Sequence, residues 1–437
     1  MSLALLPLAA LMLLYQATPV AGSDVSSLGL SASYDVSAVI GWSDRTVRVD
    51  TAVEVRGTVP WPTSTLAFNL STFRTGRAEI GAVSVDGQPV EPLVDDQTVL
   101  VPLPQPLASG GAATVRIVST ARLNASPRAD SDEWGFARTD GLLTAYRWIP
   151  WLSRTTPFDR PSVGDPFVTA SAERVRVTIE VDHELIFATS GTEVARDGGA
   201  WTFEAANVRD FNLSASPDYR IAQRTVAGTP IKFFHRRLAP DAVLDVAGRA
   251  LADFSARVGP YPYPELTIAE VGPWAPLESP AHFWLPDNAP ARLLPWMTAH
   301  ETAHQWFYAV VGNDQAREPF ADEALTDLMA RSLISRFVPS QCPPGDLDQS
   351  IYDLGECYPW VVYVQGVAYL RKYRDAVGGA AFWRGVADYF DAYRFGIGGT
   401  RELLAALDRA AGRTRAHEDR FPGLRPPIVG CLPLGRR

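Results

Sequence analysis

The stretch "HETAH", residues 300 to 304, sets two histidines four apart with a glutamate between them. Four residues is just over one helical turn, so His300 and His304 project from one helix face and can share a metal ion. Glu301 lies beside that face, placed to act on a water at the metal rather than on the metal itself. A catalytic zinc takes three protein ligands and keeps one position for water. Glu323, in "FADEALTDLMA", is the expected third ligand. The eighteen residues between His304 and Glu323 allow the first helix to end, a loop around "VGNDQ", and a second helix that returns the carboxylate. The expected cofactor is one Zn2+ per chain. The plainer alternative is a polar surface helix that carries two of the six histidines of the chain.

A site of this kind needs elements that hold it, and the 437 residues are enough for two or three domains with proper cores. From about residue 28 to 225 the pattern is strand-like. "TVRVDTAVEVRG" places Val47, Val49, Thr51, Val53 and Val55 on one face, and "ERVRVTIEVD" does the same with Val175, Val177, Ile179 and Val181. Turn-formers such as "SVDGQPV" and "ARDGGAW" separate these runs. The implied unit, 23–225, is an antiparallel β-sandwich or saddle. Beyond 226 the period becomes helical: Phe382, Val386, Tyr389, Phe390 and Tyr393 share a face, and "TRELLAALDRAAG" runs from an expected N-cap at Thr400 to Gly412. The fold class is therefore α+β and multidomain, with a mainly helical unit at 226–415 and a tail at 416–437.

The stretch "HETAHQWF…DE" resembles the gluzincin aminopeptidases, the membrane alanyl aminopeptidase family of zinc enzymes. Further matches follow in order: "FSARVGPYPYPELTIAEV", "VVYVQGVAYLRKY" with Gln365 where the family has lysine, and "FWRGVADYFDAYRFGIGGTRELLAAL". The likeness is good over residues 250 to 412 and weak over the β domain. It implies a thermolysin-like zinc peptidase domain acting on peptides, in a short form without the family's large C-terminal helical domain. It implies that His300, His304 and Glu323 bind zinc, that Glu301 is the general base, and that Tyr363 donates to the tetrahedral oxyanion. It also places Glu278 of "WAPLESPAHFWLP" at the position that binds the substrate's free amine. Leu277 and Ser279 replace the family's flanking methionine and asparagine, and "GLLTAYRWIPWLS" in the β domain lacks the glutamine that shares amine recognition in many members. Asp327 is expected to be an exposed helix residue, the other reading being that it orients a zinc-bound histidine.

The expected activity is removal of N-terminal residues from peptides. A zinc endopeptidase or other zinc hydrolase without amine selectivity is the alternative, and a non-catalytic envelope binding module is the reading from another class. The net charge of −9 argues against nucleic acid, and the near absence of lysine, with only Lys232 and Lys372, reads as codon bias. The sequence fixes no oligomeric state. An apolar run from Leu3 to about Tyr15, followed by small residues, reads as a signal peptide at 1–22 cleaved after Ala21 or Gly22, with an uncleaved anchor as the alternative. The expected location is secreted or cell-envelope associated. Cys342 and Cys357 can then close a loop or stay reduced, and Cys431 is expected as a free thiol.

Overall fold

Alternation of apolar and polar side chains builds the N-terminal half. The computed structural model describes residues 25–128, 131–155, 168–273, 275–336, 338–412, 417 and 419–424. The expected signal peptide at 1–22 and Cys431 lie outside them. Strands β1 (Ser31–Gly41) and β2 (Thr46–Arg56) pair antiparallel along their full length. In β2 the residues Val47, Val49, Thr51, Val53 and Val55 are all buried, as a period of two requires. On the far side of β2 lies β3 (Ala112–Arg122), while β1 is flanked by β4 (Ala172–Val181), which in turn pairs with β5 (Ala200–Val208). Three short strands complete this eight-stranded sheet, and two four-stranded sheets share its apolar core. One pairing departs from the antiparallel expectation. Strands β1 and β4 run parallel, with Ser33 opposite Arg174. A parallel pair needs a long crossover, and most of the domain lies within it.

The second half has its own five-stranded mixed sheet. It starts with β6 (Arg220–Val226) and β7 (Thr229–His235), joined by Ala227 and Gly228, both at positive φ as a tight primed hairpin turn demands. The boundary expected at 225/226 thus falls inside β6. Helix α1 (Pro240–Arg257) buries Val243, Leu244, Ala247, Leu251 and Phe254, and connects β7 to its parallel neighbour β8 (Leu266–Val271). At the sheet edge, β9 (Leu277–Ser279) pairs antiparallel with β10 (His282–Pro286), which itself lies parallel to β8.

Helices α2 (Leu294–Ala303), α3 (Leu325–Leu333), α4 (Val367–Val377), α5 (Gly379–Tyr393) and α6 (Thr400–Ala411) follow. Helix α2 packs between α1 and α3. The N-cap of α6 lies one residue before the expected Thr400. Gly399 is the N-cap; its N–H donates to Glu402 and that of Thr400 donates to Glu318, each at 3.0 Å. At the other end Gly412 adopts φ 62°, the left-handed stop that glycine favours. The Cys342–Cys357 disulfide is formed. Within the stretch expected to be a tail, His417 and Phe421 are buried, Phe421 edge-on against Phe320. Among the described residues no helix is long and apolar enough to cross a membrane.

Candidate active site

Helix α2 carries Pro295 in its first turn, where a backbone N–H has no partner to lose. Thr298 and Thr302 donate their hydroxyls to the carbonyls four residues back, at 2.8 and 2.7 Å, so these two hydroxyls are satisfied within the helix. That permits burial. His300, Glu301 and His304 are 5%, 3% and 1% exposed, which excludes the polar surface helix. The helix ends at His304, so its partially negative end faces the histidine pair and favours a cation there.

Glu323 returns in a single π-helical turn, Phe320–Ala324, immediately before α3. Three lone-pair atoms then meet. His300 Nε2 lies 3.2 Å from Glu323 Oε2, His304 Nε2 lies 3.5 Å from the same oxygen, and the two Nε2 atoms are 3.1 Å apart. A tetrahedral zinc with bonds of about 2.0–2.1 Å would separate its ligand atoms by about 3.3 Å. The residues fit the ion. His304 supports this further, because its Nδ1 donates to the Phe307 carbonyl at 2.9 Å and leaves the Nε2 lone pair free. Burial pushes Glu323 up, but His304 and His300 pull it down further, so its carboxyl stays below the usual range. For Glu301 burial prevails over the pull of His304 and leaves its carboxyl well above that range.

Glu278 sits on β9 and is buried, forming a second close group with Glu301 and His304. Its strand is pinned from two directions. Asn212 of the β domain donates to Ser279 Oγ at 2.6 Å, and Gln305, one residue past the histidine pair, donates to the Ser279 carbonyl at 2.9 Å. Gln315 donates to Glu278 Oε1 at 2.7 Å and to Asp322 Oδ2 at 2.8 Å, holding the two carboxyls apart. Tyr363 lies in a second π-helical turn, Val361–Gly366, with its ring 5.7 Å from that of His300. All six residues singled out in the sequence line one cavity of about 420 Å³. Two surface clefts of about 490 Å³ are larger, but neither gathers convergent metal-binding atoms.

No family model matches the chain. A probable aminopeptidase 1 of Saccharolobus solfataricus is 24% identical over 141 residues, covering 27% of this chain and 18% of that protein. The thyrotropin-releasing hormone-degrading ectoenzyme of Rattus norvegicus is 23% identical over 138 residues, covering 26% of this chain and 13% of that protein. The chain thus matches less than a fifth of the length of these curated relatives. Among solved structures, an M1 zinc metallopeptidase from Deinococcus radiodurans bound to a Tyr-Ser-Ala substrate superposes with a TM-score of 0.67. Identity is 20%, with 93% of this chain and 96% of that chain covered. The chain has the M1 zinc metallopeptidase fold. A two-domain M1 zinc metallopeptidase bound to L-arginine is similar to the same degree, with a TM-score of 0.66 and 20% identity over 89% of this chain and 95% of that chain.

Within this M1 fold the structure corrects one expectation. Asp327 is fully buried, not exposed. Its Oδ1 accepts from Trp296 Nε1 at 2.6 Å and lies 3.9 Å from His300 Nδ1, while Oδ2 accepts from Arg331 at 2.8 Å. The reason is packing: Asp327 lies in the first turn of α3, and α3 rests on α2. Sequence reasoning also missed Tyr358, whose hydroxyl is 3.2 Å from that of Tyr363. Gln365 turns away from the cavity, donating to the Cys342 and Pro343 carbonyls and accepting from Gly345 N–H.

Proposed function

We propose that the chain is a zinc aminopeptidase releasing N-terminal residues from peptides. The observation that carries this is the meeting of His300 Nε2, His304 Nε2 and Glu323 Oε2 within 3.5 Å of one another, in a cavity shared with Glu301 and Glu278. When bound there, zinc supplies Lewis acidity for the scissile carbonyl and lowers the pKa of a water towards neutrality. Glu301 takes the proton from the attacking water and delivers it to the departing nitrogen. Its place beside the metal-binding atoms, buried from bulk water, suits that shuttle. Tyr363 donates to the carbonyl oxygen as it gathers charge; burial and the neighbouring Glu323 keep its phenol protonated. Glu278, fixed at one oxygen by Gln315, binds the substrate ammonium.

The names of the two curated relatives and the peptide bound to the D. radiodurans structure support the reading. Glu301→Gln tests it. The variant should keep one zinc per chain and lose turnover at least about a thousandfold, and persistent activity would remove Glu301 as the base. Free-amine peptides should be cut in preference to their N-acetylated forms; the opposite preference would favour an endopeptidase and end the role of Glu278. Export belongs to the same proposal. The Cys342–Cys357 disulfide supports an oxidising compartment. N-terminal sequencing of the protein recovered outside the cytoplasm should start near Gly22 or Ser23, whereas a start at Met1 would argue for an uncleaved anchor.

A further inference from the structure

Two arginines, Arg331 and Arg336, line the cavity, and the buried Asp327 behind it is bonded to only one of them. Asp327 is fully committed, accepting from Trp296 through Oδ1 and from Arg331 through Oδ2. Arg331 spends its other donors on the Arg336 and Tyr363 carbonyls. Arg336 has no such partner among the described residues. Its guanidinium lies flat over the Trp296 ring, 3.8 Å from the centroid, and lines the same cavity as the histidines and Glu323. Partial burial leaves it less solvated than a surface arginine. A guanidinium presented on an aromatic platform keeps its planar fork of donors free for a carboxylate.

Its position says which carboxylate. Glu278 groups with Glu301 and His304, whereas the Trp296 ring packs 5.5 Å from the ring of His300. Glu278 thus groups with the His304 end of the histidine pair, and Arg336, through Trp296, with the His300 end. A peptide held by its amine at Glu278 and cut between them directs its leaving portion towards Arg336. The guanidinium is one indole ring beyond His300, and an extended chain advances about 3.5 Å per residue. The nearest substrate carboxylates on that side of the cleaved bond are those one or two residues past it.

We infer that Arg336 is a specificity residue that binds a substrate carboxylate on the leaving-group side, making short peptides with a free C-terminus the favoured substrate class. This rests on the peptidase reading above. The test uses zinc-loaded full-length protein and three peptides: Ala-Ala-Ala with a free C-terminus, its C-terminal amide, and Ala-Asp-Ala amide. The wild type should favour the free acid over the amide by about tenfold or more in kcat/KM, chiefly through KM. Arg336→Gln should bring the two within about twofold while cutting the amide as the wild type does, which shows that the variant is folded. Arg336→Lys should restore part of the preference. A comparable preference for Ala-Asp-Ala amide over Ala-Ala-Ala amide, lost in Arg336→Gln, would place the recognised carboxylate on a side chain instead of the terminus. Equal cleavage of all three by the wild type overturns the inference and leaves the peptidase standing. No cleavage of any by zinc-loaded protein overturns both.

Discussion

At the scale of single residues, Asp327 accepts from the indole of Trp296 and the guanidinium of Arg331 and lies 3.9 Å behind the imidazole Nδ1 of His300. A carboxylate behind a metal-binding histidine fixes the ring and raises its basicity. Asp327→Asn keeps the shape and removes the charge, so zinc affinity should fall about 10- to 100-fold. Competition against a chelator measures it, and affinity within twofold of wild type would reduce Asp327 to a packing role. The ligands themselves were legible because helical periodicity alone puts His300 and His304 on one face and allows Glu323 to return. Asp327 was not. Whether a helix position is exposed depends on which helix lies against it, and the α2–α3 packing is set by residues distant in the chain. Arg336 escaped notice for the same reason, its meaning residing in the ring of Trp296 beneath it.

At the scale of elements, strands and helices were readable from their periods, while the turns that deliver Glu323 and Tyr363 were not. Both sit in π-helical turns. An extra residue in the turn rotates a side chain off the regular helical face, and composition carries no mark of it. The second π-turn is braced from the side. The disulfide closes the segment from Cys342 to Cys357, Gln365 ties that segment back to the turn, and Tyr358 follows directly to meet Tyr363. Replacing Cys342 and Cys357 together by serine removes a closed loop of fifteen-residue separation, which chain entropy values at about 3 kcal/mol. The melting temperature should drop and kcat should fall with it, since the Tyr358–Tyr363 contact loses its anchor. A lowered melting temperature with unchanged kcat at low temperature would confine the disulfide to stability.

At the scale of the whole molecule, the two halves meet on a buried cation. Arg209, at the end of β5, donates to the carbonyls of Ala309, Val310 and Gly396 across the seam and to Thr169 in its own domain. Gly312 lies so close that a Cβ there would strike the guanidinium at 2.2 Å. Beside it Tyr308 donates to Asp210 and accepts from Arg147 at 3.1 Å. Arg209→Leu strands these carbonyls in a dry interface and should cost about 3 kcal/mol or more. Calorimetry should then resolve two unfolding transitions where the wild type shows one, and a single unshifted transition would show that the seam holds without it. The α+β class was legible from the change of period near residue 226. The seam was not, because it is built of backbone carbonyls, which every sequence has.

The parallel pairing of β1 with β4 has a consequence for how the protein is made. Strand β1 gains β2 as soon as the first hairpin leaves the ribosome, but the other edge waits until residues 172 to 181 appear. At about 5–20 residues per second, that edge stays open for on the order of ten seconds. Its alternating face, Ala32, Tyr34, Val36, Ala38 and Ile40, is apolar throughout, and an open apolar strand edge invites pairing with a neighbouring nascent chain. The hazard is thus greatest mid-synthesis, and slowing translation before β4 should lower the soluble yield more than slowing it after.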